Sequence, residues 1–193
     1  MKQTCFFFLL CISLAAYSQS PDGIAIIPQP VSLQKQQGSF VLPQQLIIQV
    51  GKNPEVKQIG TRLAERISMA TGYKVTIDEN TGGTNGISLV LASKSFPKEG
   101  YSLDVKPSSI TLEAAEPSGI FYGVQTLLQL LPKEIESKSN IKKDKWEIPA
   151  VVITDHPRFG WRGLMLDVSR HFFTKEQVKE FIDDMVKYKY NLL

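Results

Sequence analysis

Four polar residues lie together near the end of the chain, at the carboxyl end of a short and mostly apolar run. The run is Gly163–Val168, and Asp167, Ser169, Arg170 and His171 cluster at its carboxyl end. A buried strand that delivers polar side chains at this end is typical of parallel sheets. In a β/α barrel the carboxyl ends of the strands face the active site, whereas the amino ends serve stability. The pattern therefore predicts a ligand-facing cluster.

Arg170 is the candidate ligand-binding residue of this cluster, because its planar fork of donors can hold vicinal sugar hydroxyls. The alternative is a structural salt bridge with Asp167, which charge pairing alone would also produce. Arg162 opens the strand beside Trp161 and is predicted to lie at the barrel floor or at a domain interface. His171 is interpreted as support for its neighbours rather than as a catalytic base.

Other residues that could do chemistry are poorly placed for it. Asp78-Glu79 precede a glycine-rich turn, and Asp183-Asp184 fall on the outer face of the last predicted helix, so both pairs are interpreted as solvated. The two histidines form no ligand cluster at usable spacing, which predicts no metal site. No Gly-x-Ser-x-Gly sequence is present, and Ser169 lies too near His171 for a typical triad.

Length, composition and charge limit the number of domains and the kinds of function. A chain of 193 residues with 42% hydrophobic residues is enough for one or two globular domains. The formal charge is +3, and the short basic cluster Lys142–Lys145 is interrupted by an acid. Nucleic-acid binding proteins concentrate their positive charge, so the sequence argues against that function.

The first residues are predicted to be a secretory signal peptide. A lysine precedes the apolar run Phe6–Ala16, and a small-x-small cleavage site ends at Ser18. The run is too short to span a membrane, and a bulky residue before Cys11 argues against a lipoprotein signal. We therefore expect export to the periplasm or the medium. Cys5 and Cys11 both lie in the signal, so the mature chain has no thiol, which suits an oxidising compartment.

Between Ile24 and Thr154 the pattern predicts short strands and two helices. The first helix has Asn53 as N-cap, Pro54 at its first position and Gly72 just past its end. The second covers Ser118–Leu131, and a polar surface loop is expected to follow at Lys133–Asp144. Predicted strands are Val31–Lys35 and Ser39–Leu42 as a hairpin, Leu46–Val50, Lys74–Ile77, Ile87–Leu91, Tyr101–Val105, Ser109–Leu112 and Trp146–Thr154. The fold class is therefore α+β, a small sandwich of a largely antiparallel sheet covered by two helices.

The sequence pattern of the segment after this domain predicts the first β/α unit of a barrel. A helix is predicted over Thr174–Tyr188, with Thr174 and Gln177 as a capping box. Asn191–Leu193 has the pattern of a second strand as it begins. The helix is expected to turn an apolar face inward and to place two lysines where its dipole favours cations. The apolar residues are Val178, Phe181, Ile182 and Met185, and the lysines are Lys187 and Lys189.

These residues resemble glycoside hydrolase family 20, the β-N-acetylhexosaminidases. The barrel motif Arg162–Phe173 carries the resemblance over 155–193, and Pro28-Gln-Pro30 and Gly119–Leu130 carry it in the small domain. The resemblance implies that a non-catalytic α+β domain follows the predicted signal peptide (1–18) at 19–154, and that 155–193 is the start of a truncated (β/α)8 TIM-barrel catalytic domain. It also implies that Arg170 binds hydroxyls of a terminal N-acetylhexosamine.

The resemblance further implies a retaining, substrate-assisted glycosidase without cofactor or metal. In the family a Glu protonates the leaving oxygen, and the Asp before it orients the substrate's acetamido group as nucleophile. That pair belongs to a later barrel strand, so no catalytic residue is expected in this chain. We expect the parent protein to remove terminal N-acetylglucosamine or N-acetylgalactosamine from glycans, and the fragment alone to be inactive.

Two other functions stay open at this point. The chain could be a stand-alone, non-enzymatic domain that binds a glycan or a protein partner. It could also belong to a related family that shares the small domain and the barrel but acts on other glycans. An open reading frame that continues after Leu193 toward an Asp-Glu pair favours the enzyme over the binding domain.

Overall fold

The computed structural model describes residues 23–80 and 85–193. The predicted signal peptide lies outside the described residues, as do residues 81–84 of the glycine-rich turn. The strands are β1 Ser32–Val41, β2 Gln45–Gln49, β3 Lys74–Asp78, β4 Gly86–Leu91, β5 Tyr101–Lys106, β6 Ser109–Ala114 and β7 Glu147–Asp155. The α-helices are α1 Pro54–Thr71, α2 Pro117–Leu130 and α3 Lys175–Lys187, and a 3-10 helix covers Lys133–Glu136.

The seven strands form one sheet in the order β1-β7-β5-β6-β4-β2-β3. The α+β class is confirmed, but the prediction of a largely antiparallel sheet holds for only half of it. The pairs among β1, β7, β5 and β6 are antiparallel, whereas β6/β4, β4/β2 and β2/β3 are parallel. Parallel neighbours need a crossover connection, and α1 supplies it between β2 and β3.

The predicted hairpin over Val31–Leu42 is wrong. β1 is one strand that pairs with β7 along both of its halves, from Ser32↔Thr154 to Val41↔Glu147. The register shifts between Lys35 and Ser39, where Gly38 has a φ of 89°. The residues expected to form a turn thus form a bulge within β1. The reason is that β7, which is distant in sequence, pairs with β1 on both sides of the bulge.

The first helix is capped as predicted. The Asn53 side chain accepts the N–H groups of Glu55 at 2.9 Å and Val56 at 3.1 Å, and Gly72 ends the helix at a φ of 71°. Helices α1 and α2 contact each other and pack on the sheet. Their apolar faces bury a continuous core with side chains from the strands, including Leu46, Ile67, Leu89, Leu112, Ile120 and Leu127. The loop expected after α2 begins instead with the 3-10 helix, whose Ile135 is buried.

No helix within residues 23–80 and 85–193 combines the length and the apolar character that a membrane crossing requires.

Two glycines let α2 lie close against the sheet. A Cβ on Gly119 would clash with the carbonyl oxygen of Gly100 and lie 2.7 Å from the Cβ of Ala114. A Cβ on Gly123 would clash with the side chain of Leu112. The Gly119–Gly123 spacing is therefore a packing requirement of α2 on β5 and β6.

We expect Gly119→Ala to lower the free energy of unfolding by about 1–3 kcal/mol, because the backbone of Gly100 must move to admit a methyl group. Gly160→Ala is the matched control, since a Cβ there meets no atom within 4 Å. Chemical denaturation of both variants checks this. Equal stabilities would show that α2 does not depend on this close approach.

Candidate functional site

The barrel segment after β7 is only partly strand-like. The predicted strand Gly163–Val168 makes one parallel bridge, Gly163↔Leu192, and the N–H of Leu164 donates to the Leu192 carbonyl oxygen at 3.0 Å. The expectation of a regular strand is therefore corrected, although the bridge has the parallel direction that a β/α barrel requires. A buried parallel strand forms when partners pair along its length on both sides, and here Asn191–Leu193 offers three residues on one side.

Arg170 lies at the carboxyl end of this segment with its side chain 85% exposed. Its Nε is 3.2 Å from Oδ2 of Asp167, so the alternative ion pair is present. The other oxygen of Asp167 accepts the N–H groups of Ser169 at 2.9 Å and Arg170 at 3.2 Å, which makes a tight turn. An ion pair this exposed contributes little to stability, about 0–1 kcal/mol. It leaves the guanidinium accessible to a ligand, so the predicted sugar contact stays a prediction. The interpretation of the exposed His171 stays one too.

The helix of the barrel unit is capped as predicted. The N–H of Gln177 donates to Oγ1 of Thr174 at 3.2 Å, and the N–H of Thr174 donates to Oε1 of Gln177 at 2.9 Å. Its apolar face is less covered than expected, because Met185 is buried but Ile182 is 40% exposed. The helix is therefore seated on the small domain mainly by its carboxyl end.

Several large apolar side chains of the barrel segment face solvent. Trp161, Met165 and Phe172 are 79–89% exposed, and Phe159 and Val168 are more than half exposed. Soluble proteins rarely leave so much apolar surface uncovered on one segment unless it contacts another protein surface or a ligand. This surface is therefore a candidate interface.

Arg162 joins the barrel segment to the small domain. Its Nη2 lies 2.7 Å from Oε2 of Glu99, and its Nη1 and Nε donate to the carbonyl oxygens of Phe159 and Lys189, each at 2.7 Å. The guanidinium also lies over the ring of Tyr122, 5.3 Å from its centre. The side chains of Arg162 and Glu99 are each about 15% exposed. The interpretation of Arg162 as a domain-interface residue is confirmed.

A cavity of about 410 Å³ lies at this junction. Its lining includes Glu99, Asp155, Arg162 and Lys189, and these four charges form two internal ion pairs. The cavity also lies at the amino end of the barrel segment, beside Arg162, which is the stability end of a barrel strand. We therefore interpret it as part of the domain junction and not as the catalytic cleft.

The two acidic pairs behave as solvated surface groups. Glu79 pairs with Lys57 at 2.6 Å on the exposed surface, and this partner holds the pKa of Glu79 below its usual value. Asp184 pairs with Lys187 at 3.0 Å, also in an exposed position. In the part of the chain that the structure describes, no group of three His, Cys, Asp or Glu residues could hold a metal ion.

Comparison with known proteins assigns both parts of the chain. Residues 23–156 match the sequence profile of glycosyl hydrolase family 20, domain 2, and residues 159–193 match the profile of the catalytic domain of that family. The chain belongs to glycosyl hydrolase family 20.

Relatives of the chain agree with this membership. It is 36% identical over 191 residues to a beta-hexosaminidase of Porphyromonas gingivalis, covering 95% of the chain and 24% of the relative. It is 33% identical to a beta-N-acetylhexosaminidase of Cellulomonas fimi, covering 90% of the chain and 34% of that protein. The N-acetyl-beta-hexosaminidase of Streptomyces plicatus, solved with Thio-NAglucal, superposes with a TM-score of 0.81 at 39% identity, covering 86% of the chain and 33% of that structure. The chain thus spans about a quarter to a third of the length of these relatives.

The sequence pattern identified Arg162 at the domain junction but missed Glu99, Asp155 and Lys189, which hold the same junction. Glu99 lies in a loop with no periodicity, and the sequence interpretation of Lys189 is only a cation at the carboxyl end of a helix, where the dipole favours it. Lys189 is 7% exposed and bonded to Asp155, while Lys187 pairs with Asp184 and Glu136 as a surface lysine does. The spacing of polar residues carries no signal for such a contact, because its partners are far apart in sequence.

We expect Arg162→Ala to lower the stability of the chain by about 3 kcal/mol, because Glu99 would be left as a largely buried, unpaired carboxylate. For a chain of this size that corresponds to a fall in Tm of roughly 6 °C or more. Arg162→Lys should fail to restore it, since an ammonium cannot reach three acceptors in different directions. Arg158→Ala, an exposed arginine on the same segment, is the control. A Tm for Arg162→Ala within one degree of the control would contradict this role.

Proposed function

We propose that the chain works as part of an exported exo-β-N-acetylhexosaminidase that removes terminal N-acetylglucosamine or N-acetylgalactosamine from glycans. The observation that carries the proposal is the order of the two family matches. The small domain is followed at once by the start of the catalytic domain, with Arg170 exposed at the carboxyl end of its first strand segment. Similar proteins from Porphyromonas gingivalis and Cellulomonas fimi are named as hexosaminidases.

The proposed chemistry is retaining and substrate-assisted. The substrate's acetamido group attacks the anomeric carbon, an Asp orients that group, and the neighbouring Glu protonates the leaving oxygen. The residues of this chain bind and position the sugar and take no part in these proton and bond transfers. No acidic pair in the described residues is placed for this chemistry, because Asp78 and Glu79 lie in the small domain and Asp183 and Asp184 lie on an outer helix face.

Arg170 is the proposed sugar-binding residue of the chain. Its guanidinium offers several donors in a fixed plane, and the oxygens of adjacent ring hydroxyls can accept from them. The ion pair with Asp167 engages Nε of Arg170, and the side chain stays 85% exposed. A charged donor to a substrate hydroxyl contributes about 1.5–3 kcal/mol.

The exposed apolar surface of the barrel segment supports the same proposal. In a hexosaminidase the other barrel units would cover Trp161, Met165 and Phe172, which the small domain leaves in solvent. Barrel strands are packed on both faces, so apolar side chains on the first unit need neighbours from later ones. Export is proposed from the signal pattern at 1–18 alone.

In a protein that carries this chain together with a complete barrel, we expect hydrolysis of a chromogenic N-acetyl-β-D-glucosaminide, and Arg170→Ala should lower kcat/KM by about 10- to 150-fold. The loss arises because one charged hydrogen bond to a sugar hydroxyl disappears. Steady-state kinetics beside a thermal melt is the measurement.

Arg158→Ala is the matched control, because it removes an exposed arginine near the amino end of the same segment. It should keep full activity. An enzyme without activity on either N-acetylhexosaminide would overturn the proposed function. Full activity in Arg170→Ala with an earlier melt would instead assign Arg170 to the structural ion pair with Asp167.

A further inference from the structure

A buried lysine joins the barrel unit to the small domain. Lys189 follows α3 and is 7% exposed, and its ammonium lies 2.7 Å from Oδ2 of Asp155 and 2.9 Å from the hydroxyl of Tyr101. Burial lowers the pKa of Lys189, and the carboxylate of Asp155 opposes that effect. A lysine is rarely buried unless its charge is paired, so this position is built for the contact.

The acceptors belong to the rigid sheet of the small domain. Asp155 ends β7, and Tyr101 begins β5 directly opposite it. The Tyr101 hydroxyl accepts from Lys189, donates to Asp155 at 3.0 Å, and lies 2.5 Å from the hydroxyl of Thr126 on α2. The other oxygen of Asp155 accepts the N–H of Val31 at 3.2 Å. Burial and the Asp155 charge raise the pKa of Tyr101, so the phenol keeps its proton for this bond.

The backbone at Lys189 turns the chain from helix to strand. Lys189 has a φ of 62°, a left-handed conformation that is uncommon for a residue with a long side chain. Its N–H donates to the Val186 carbonyl oxygen, and its own carbonyl accepts the Nε of Arg162 at 2.7 Å. The contacts of the ammonium hold this unfavourable turn in place.

The residues after the turn bond to the first strand segment of the barrel. The N–H of Asn191 donates to the carbonyl oxygen of Arg162 at 2.9 Å. The Asn191 side chain accepts the N–H of Arg162 and donates to the Gly160 carbonyl oxygen, each at 2.9 Å. The bridge between Gly163 and Leu192 follows at once. Lys189 lies two residues before Asn191, so the seat of its ammonium and the Asn191 bonds together set where the second barrel strand meets the first.

We propose that Lys189, Asp155 and Tyr101 form an interdomain latch that seats the first β/α unit of the barrel on the small domain and fixes the start of the second strand. Lys189 is a positioning residue, which acts on the substrate only through the unit that carries Arg170. This last consequence rests on the proposed function, whereas the seating is a property of the chain itself.

The latch fixes the orientation of the barrel unit more than it increases the free energy of unfolding. A buried ion pair gains little net stability over apolar packing, because both charges lose their water. Its hydrogen bonds nevertheless require one geometry, since the ammonium must meet a carboxylate and a phenol at the same time.

Amide hydrogen exchange of the chain tests the latch without any assay of activity. In Lys189→Met, we expect the amides of Leu164, Tyr190, Asn191 and Leu192 to exchange at least about tenfold faster, because opening of the barrel unit becomes easier. The amides of β5 and β6 should keep their protection. Asp155→Asn should have the same effect on the barrel amides, and the double variant should be no faster than the faster single variant, because both remove one interaction.

Lys187→Met is the matched control. Lys187 also reaches the small domain, through a 2.9 Å ion pair with Glu136, but this pair lies at the surface. Its loss should leave the exchange of the same amides within about twofold. Unchanged exchange in Lys189→Met, additive effects in the double variant, or equal acceleration in β5 and β6 would each overturn the latch. Failure of the enzyme to hydrolyse N-acetylhexosaminides would overturn the proposed function and leave these results intact.

Discussion

The carboxylate of Asp155 is the constraint on which the junction of the two parts depends. It lies at the end of β7, an interior strand of the sheet, and is 8% exposed, so its charge has lost most of its contact with water. Such a charge costs several kcal/mol unless it is paired and hydrogen-bonded. Val31 and Tyr101 supply neutral donors from the small domain, but the cation comes from Lys189, 34 residues further along the chain. The segment between them must therefore return to the sheet.

As a result, the two ends of the barrel segment have different surroundings and different roles. At its amino end, Arg162 is largely buried and bonded to Glu99 and to two backbone carbonyls. At its carboxyl end, Arg170 is exposed and holds only a surface ion pair. The two arginines have the same chemistry, and their surroundings decide what each can do. A guanidinium whose nitrogens all donate to protein acceptors, like that of Arg162, is structural. One that faces solvent, like that of Arg170, can exchange water for a ligand.

Local chemistry made some elements predictable from the sequence. Asn53 and Thr174 cap their helices through bonds to residues two or three positions away, and Gly72 ends a helix because it tolerates a left-handed backbone. The family motif around Arg162–Phe173 likewise identified the barrel segment. The continuity of β1, the parallel half of the sheet and the buried Lys189 were not predictable in this way. Each depends on a partner distant in sequence, such as β7 for β1, and residue spacing does not encode that partner.

The most direct test of the account is a crystal structure of a protein that contains this chain and a complete barrel, with N-acetylglucosamine bound. We expect the Arg170 guanidinium to lie within hydrogen-bond distance of a ring hydroxyl of the sugar, while Lys189 stays paired with Asp155 at the opposite end of the unit. A sugar bound elsewhere, with Arg170 in solvent beside Asp167, would contradict the assignment of the strand's carboxyl end as the ligand-facing one.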